Sequence, residues 1–165
     1  MQFLPIEIRI EGKQILIVGG GKVATHKAQI LSRFTREALV VAPSISDQIK
    51  RLPFARQERE WQPNDLDGKW IVFICTGNCR LNSLIKREAE RRGVLASVCD
   101  CPEECDFASP AVWSKDNITI AVGSDGQDVQ RAIRIRNRIA ELVDSGVLGT
   151  ERGGRREEGG ETTKH

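Results

Sequence analysis

The sequence predicts an α/β fold, a mostly parallel sheet with helices on both of its faces. Three observations predict it. Apolar runs recur at Ile15–Val18, Ala38–Val41, Trp70–Cys75 and Val94–Cys99, and such runs suit strands buried on both faces. Segments with apolar residues at helical spacing lie between them, the alternation expected of parallel strands joined by crossover helices. Three consecutive glycines, Gly19–Gly21, separate the first run from its helix, which makes the expected sheet Rossmann-like.

Taken in order, Phe3–Ile10 alternates, with Leu4, Ile6, Ile8 and Ile10 on one parity. It reads as a half-buried edge strand because of Pro5. Glu11-Gly12-Lys13 is a turn, Gln14–Val18 the first inner strand, and about Lys22 to Arg33 a helix. Ala38–Val41 is a strand ended by Pro43. Ser46 caps a short helix through Leu52, which Pro53 stops. Phe54–Glu60 is a short charged strand and Pro63–Gly68 a turn-rich connection. Trp70–Cys75 is the next inner strand. The helix from about Arg80 to Arg92 buries Leu81, Leu84, Ile85 and Ala89, and Val94–Cys99 is the strand after it. Beyond Asp106 the texture changes: a Ser-Pro-Ala turn within Phe107–Trp113, a strand at Asn117–Val122, and a helix from about Gln127 to Val143. One strand and one helix cannot close a core alone, whereas two copies can, so 113–145 is expected to be a dimerisation element. Residues 1–112 form the dinucleotide-binding domain. Residues 146–165, rich in Gly, Glu and Arg, are expected to be a disordered tail.

Composition narrows the function. The chain has 165 residues and a formal net charge of +2, with basic and acidic residues interleaved. That is no nucleic-acid footprint. Tyrosine is absent and aromatic residues are few, which weakens a base-stacking role. No apolar run approaches the roughly 18–20 residues of a membrane span. The N-terminus shows neither a basic leader nor a small-residue cleavage site, so the expected location is cytoplasmic. The five cysteines, Cys75, Cys79, Cys99, Cys101 and Cys105, include no Cys-x-x-Cys and match no metal spacing. They read as reduced structural thiols, with a metal or redox cluster as the alternative.

Gly19, Gly21 and Ala24 fill a Gly-x-Gly-x-x-Gly/Ala pattern in strand–turn–helix context. Gly19 permits the tight turn, Gly21 lets a pyrophosphate approach the backbone, and Ala24 lets helix and strand pack closely. Free N–H groups of the first helical turn hold the phosphate charge. The alternative is a βα turn that is glycine-rich for steric reasons alone. The second strand ends Val41-Ala42-Pro43-Ser44, without the acid that usually meets the adenosine ribose. NAD and NADP are therefore not distinguished there, although Ser44 could bond the ribose. Thr76 and Asp100 stand at carboxyl ends of inner strands, which line the binding crevice. Asp100 is placed for proton transfer, or else it is a loop carboxylate capping a neighbouring N–H.

Together these features resemble the precorrin-2 dehydrogenases, also known as the siroheme synthase N-terminal domain family. The resemblance covers about residues 1–145. It runs through Phe3-Leu4-Pro5-Ile6, Val18–Ala24, Lys27-Ala28, Val41-Ala42-Pro43, Asp65–Gly68, Asn82, Val98-Cys99-Asp100, Cys105-Asp106-Phe107 and Pro110-Ala111. It implies NAD-dependent oxidation of the tetrapyrrole precorrin-2 to sirohydrochlorin by a homodimer, with ferrous insertion at the same site in some members. It implies cofactor contacts at Gly21, Lys22, Val23, Pro43, Ser44 and Thr76, a general base at Asp100, and a substrate-facing Ser124. A substrate with eight carboxylates needs cations, which Arg131, Arg134 and Arg138 could supply, unless they form a solvated helix face. Two segments depart from the family pattern: Thr76-Gly77-Asn78-Cys79, and Asp125–Val129 in the substrate-side turn. They leave room for a further alternative, a non-catalytic sensor that binds a dinucleotide or tetrapyrrole.

Overall fold

The computed structural model of the chain describes residues 3–149. Five parallel strands form one sheet in the order β3-β2-β1-β4-β5: β1 Gln14–Val18, β2 Ala38–Ala42, β3 Ala55–Glu58, β4 Lys69–Ile74 and β5 Leu95–Val98. The apolar runs become the inner strands because each side of the sheet is covered. Ile15 and Ile17 face helices α1 (Lys22–Leu31) and α2 (Asp47–Lys50), in a cluster with Ala24, Ala28, Val40 and Ile49. Leu16 and Val18 face α3 (Cys79–Arg91), in a cluster with Val72, Ile74, Ile85 and Ala89. β1 pairs with β2 on one side and β4 on the other, so the first strand lies mid-sheet and its glycine turn opens at the centre of the carboxyl edge.

The helix starts follow local chemistry. Ser46 accepts from the Ile49 N–H at 3.4 Å to cap α2, and Asn78 accepts from the Leu81 N–H at 3.2 Å to cap α3. The stripe of α3 differs from expectation. Leu84 is exposed, while Asn82 and Lys86 are buried beside Ile85 and Ala89. Lys86 can be buried because its ammonium meets Asp106 at 2.6 Å and Glu90 at 2.9 Å. Burial alone would pull its pKa down, but those two carboxylates hold it above the ordinary lysine value.

Two expectations change in the structure. Phe3–Ile10 is not a strand: it pairs with no described segment, and Leu4 and Ile6 are 81% and 66% exposed. Alternation supplies an apolar face, but a strand also needs a ladder partner, and β3 and β5 hold the sheet edges. The second unit holds two strands, β6 Ala111–Lys115 and β7 Ile118–Val122, joined antiparallel with Lys115 opposite Ile118. Asp116 turns the hairpin at φ 53°, a left-handed conformation that Asp tolerates. β6 crosses the 112/113 boundary expected from the sequence. Helix α4, Val129–Asp144, packs on this hairpin and is capped by Asp128, which accepts from the Arg131 N–H at 2.8 Å. From residue 150 on, the expected tail lies outside the described residues.

Candidate functional site

The carboxyl ends of all five parallel strands meet in one cleft of about 970 Å³. Its lining follows the sheet order. Glu60 and Trp61 come after β3, Pro43 and Ser44 after β2, Gly19–Val23 after β1, Thr76–Asn78 after β4 and Asp100 after β5. The structure thus brings together Gly19, Gly21, Lys22, Val23, Pro43, Ser44, Thr76 and Asp100. A smaller hollow of about 480 Å³ beside α3 is lined by side chains already paired, Lys86 with Asp106 and Ser83 with Glu104.

The three glycines have different reasons to be glycine. At Gly19, φ is 132°, and a Cβ would stand 2.3 Å from the Cys75 carbonyl oxygen. At Gly20 a Cβ would stand 1.9 Å from the Ser44 carbonyl oxygen. Steric demands of the protein itself therefore account for both. Gly21 differs: its φ of −85° is open to any residue, and an added Cβ would meet nothing within 4 Å. The fold does not require this glycine, whereas a ligand lying against the backbone would. Gly21 is also the N-cap of α1 and offers no side chain to its donors. The first intrahelical bond runs from the Thr25 N–H to the Gly21 carbonyl at 2.9 Å, which leaves the N–H groups of Lys22, Val23 and Ala24 ahead of it, at the positive end of the helix dipole. An open backbone beside unspent donors fits a dinucleotide pyrophosphate.

Thr76 is held in place by the core. Its hydroxyl bonds the Asn82 carbonyl oxygen and receives the Asn78 N–H at 3.1 Å. Asn82 is 2% exposed, so this buried amide positions the β4 end of the cleft. Gly77, at φ 70°, makes the turn from β4 into α3. Asp100 is exposed at the end of β5. The loop beyond it is pinned: Asp106 accepts from Lys86 and from the Ala96 N–H at 2.9 Å, and the Cys105 sulfur accepts from the Val98 N–H at 3.1 Å.

Cys75 and Cys99 lie side by side, each one residue past the paired Ile74 and Val98. Their hydrogen bond splits their acidities. Cys75, also buried, is pushed far up, while Cys99 is held below the ordinary thiol range by that bond, assisted by the Lys27 ammonium and opposed by burial. All five cysteines are free thiols. Among the described residues, no group of three or more His, Cys, Asp or Glu side chains could hold a metal ion.

Three expected substrate residues do not line this cleft. Ser124 sits in the β7–α4 turn, its hydroxyl accepting from the Asp128 N–H at 3.3 Å, and Arg131 and Arg134 are exposed on α4. Sequence reasoning in turn missed Gly20, Glu60, Trp61, Asn78 and Leu81, which do line it. Glu60 and Trp61 carry no motif. Only the pairing of β3 beside β2, with Ala42 opposite Glu58, brings them to the site.

Comparison with known proteins agrees with this geometry. The family described as "Putative NAD(P)-binding" matches residues 6–111. The siroheme synthase of Nitrosococcus oceani is 32% identical over 147 residues, 87% of this chain and 31% of that protein. The siroheme synthase of Photorhabdus laumondii is 34% identical over 155 residues, 91% of this chain and 33% of that protein. The chain thus spans about a third of the length of these curated relatives. Among solved structures, one titled "SirC, precorrin-2 dehydrogenase" shares the fold with a TM-score of 0.76 at 19% identity, covering 88% of this chain and 73% of that one.

Proposed function

The chain belongs to this NAD(P)-binding family, and on that premise we propose that it is an NAD-dependent precorrin-2 dehydrogenase, forming sirohydrochlorin on the route to sirohaem. The observation that carries the proposal is the cleft itself, in which a glycine needed only by a ligand and a carboxylate at a strand end share one carboxyl edge. The relatives named siroheme synthase and the neighbour titled precorrin-2 dehydrogenase support the choice of substrate.

Oxidation of precorrin-2 to sirohydrochlorin removes two hydrogens, one as hydride and one as a proton. NAD⁺, when bound, supplies the hydride acceptor. Gly21 and the N–H groups of Lys22, Val23 and Ala24 bind the pyrophosphate and add no side chain that would push it away. Thr76, fixed by Asn82, bonds polar groups at the β4 end. The Asp100 carboxylate takes the proton from the macrocycle. It has no hydrogen bond or ion pair to a described side chain, so both its oxygens are free to accept.

The same proposal includes a homodimer through 113–145. Its support is the thin core of that unit. In α4 only Ala132 and Val143 are buried, while Ile118, Val129 and Ile135 are 41–58% exposed. A second copy would cover them and bring its own Arg131, Arg134 and Ser124 toward a substrate. The function is tested anaerobically with precorrin-2 and NAD⁺, following NADH and sirohydrochlorin absorbance together. Equal rates of appearance support the proposal. Bound NAD⁺ with neither product contradicts it.

A further inference from the structure

A dinucleotide lying across a parallel sheet needs an acceptor for its adenosine ribose, usually an acid at the end of the second strand. Here β2 ends at Ala42 and runs into Pro43 and Ser44, with no acid. The neighbouring strand provides one. Ala42 stands opposite Glu58 of β3, so the chain continuing through Glu60 and Trp61 runs beside Pro43 and Ser44, and all four line the cleft. This is the end of the cleft away from Thr76 and Asp100, because β3 and β5 are the opposite edges of the sheet.

The charges facing this corner leave Glu60 as an open acceptor. Its carboxylate is exposed and has no hydrogen bond or ion pair to a described residue. Arg59, the adjacent cation, is committed elsewhere: its guanidinium bonds both oxygens of Asp65, one at 2.9 Å, and also Gln57 and the Glu60 backbone carbonyl. Lys22, the cation among the described lining residues, stands at the start of α1, beside the phosphate seat and not at the β3 end. A 2′-phosphate here would therefore meet a carboxylate and no free guanidinium. Trp61, next to Glu60, lines this corner with its apolar ring and packs on the α3 side of the core. The Trp61 Nε1–H is shielded from solvent and has no acceptor among the described residues, so what Trp61 offers the cleft is its apolar ring.

We propose that Glu60 accepts the hydrogen bonds of the adenosine ribose hydroxyls, and that its charge makes the cleft select NAD(H) over NADP(H), with Trp61 as the adenine wall. The proposal rests on the dinucleotide reading of the cleft. It assigns the selecting residue to the third strand of the sheet, where no sequence pattern marks it.

The test is titration calorimetry of the whole chain with NAD⁺ and NADP⁺, for the parent, Glu60→Gln and Glu60→Arg, with melting curves as the fold control. Glu60 is exposed, so both variants should melt like the parent. The parent is expected to bind NAD⁺ at least about tenfold tighter than NADP⁺. Glu60→Gln narrows that ratio to within about threefold, chiefly by improving NADP⁺ binding, and Glu60→Arg reverses it. A parent that binds both equally, or a ratio unchanged in Glu60→Gln, overturns the assignment while the dinucleotide site stands. A parent that binds neither overturns the dinucleotide reading as well.

Discussion

Alanine at Gly20 and alanine at Gly21 are predicted to have opposite consequences, although the two positions are adjacent. At Gly20 the new Cβ would stand 1.9 Å from the Ser44 carbonyl oxygen and 2.9 Å from the Ile45 Cα. Both neighbours are backbone and cannot turn aside, so the β2–α2 connection must move. That displaces the 3.1 Å bond from the Ser46 N–H to the Gly20 carbonyl, and with it the residue that caps α2. Overpacking costs about 1–3 kcal/mol and the lost bond about 1 kcal/mol. The total of roughly 2–4 kcal/mol lowers the melting temperature by about 4–16 °C in a chain of this size. At Gly21 the Cβ enters open space at an ordinary φ. Stability should then change by no more than about 1 kcal/mol, the scale of a weakened N-cap, while NAD⁺ affinity falls about 10- to 100-fold because the methyl occupies the pyrophosphate's path. Differential scanning calorimetry and calorimetric titration read the two effects separately. A Gly20→Ala variant as stable as the parent, or a Gly21→Ala variant binding NAD⁺ like the parent, would refute the division of the turn into a structural half and a ligand half.

Other outcomes are equally specific. The Arg59 hydrogen bond to Asp65, with the Gln62 N–H, outweighs burial and holds the Asp65 carboxyl below its ordinary range. The folded pKa is below the unfolded one, so this stability is present above about pH 4 and is lost as pH falls through the folded value. Asp65→Asn should therefore cost about 2 kcal/mol at pH 7, with the melting gap from the parent closing below about pH 4; a gap independent of pH would contradict this. For the thiols, replacing Cys75 by Ala or Lys27 by Gln should move the pH midpoint of Cys99 alkylation upward, measured by mass spectrometry of its peptide. An unmoved midpoint would show that neither group tunes it. For assembly, sedimentation equilibrium should show a dimer that Ile118→Asp combined with Ile135→Asp converts to monomer. A parent that sediments as a monomer removes that part of the proposal.

Much of the architecture could be read from the chain because its strands are buried on both faces. Ile15–Val18 and Trp70–Cys75 carry no polar interruption, and Ser46 and Asn78 stand where caps belong. The errors arise where local pattern depends on a distant partner. Leu4 and Ile6 alternate correctly but find no strand to pair with. Val112 and Trp113 read locally as part of a turn-containing stretch, and they are strand only because they pair with Ala121 and Ile120 of β7. Lys86 is polar by type, yet it is buried because Asp106 lies 20 residues away in sequence and 2.6 Å away in space. The site divides the same way. The glycine turn and Asp100 were visible from strand ends, whereas Glu60 and Trp61 reach the cleft through sheet order, which no periodicity in the chain records.

The central claim is that Asp100 moves the proton in a cleft whose dinucleotide seat is independent of it. Measuring NAD⁺ affinity and precorrin-2 turnover side by side in the parent and Asp100→Asn tests this most directly. The exposed side chain makes the variant's fold safe, and NAD⁺ should bind it as tightly as the parent. Turnover should fall by about 100-fold or more, the scale of a lost general base. Turnover in Asp100→Asn equal to the parent's, with NAD⁺ still bound, would contradict the account.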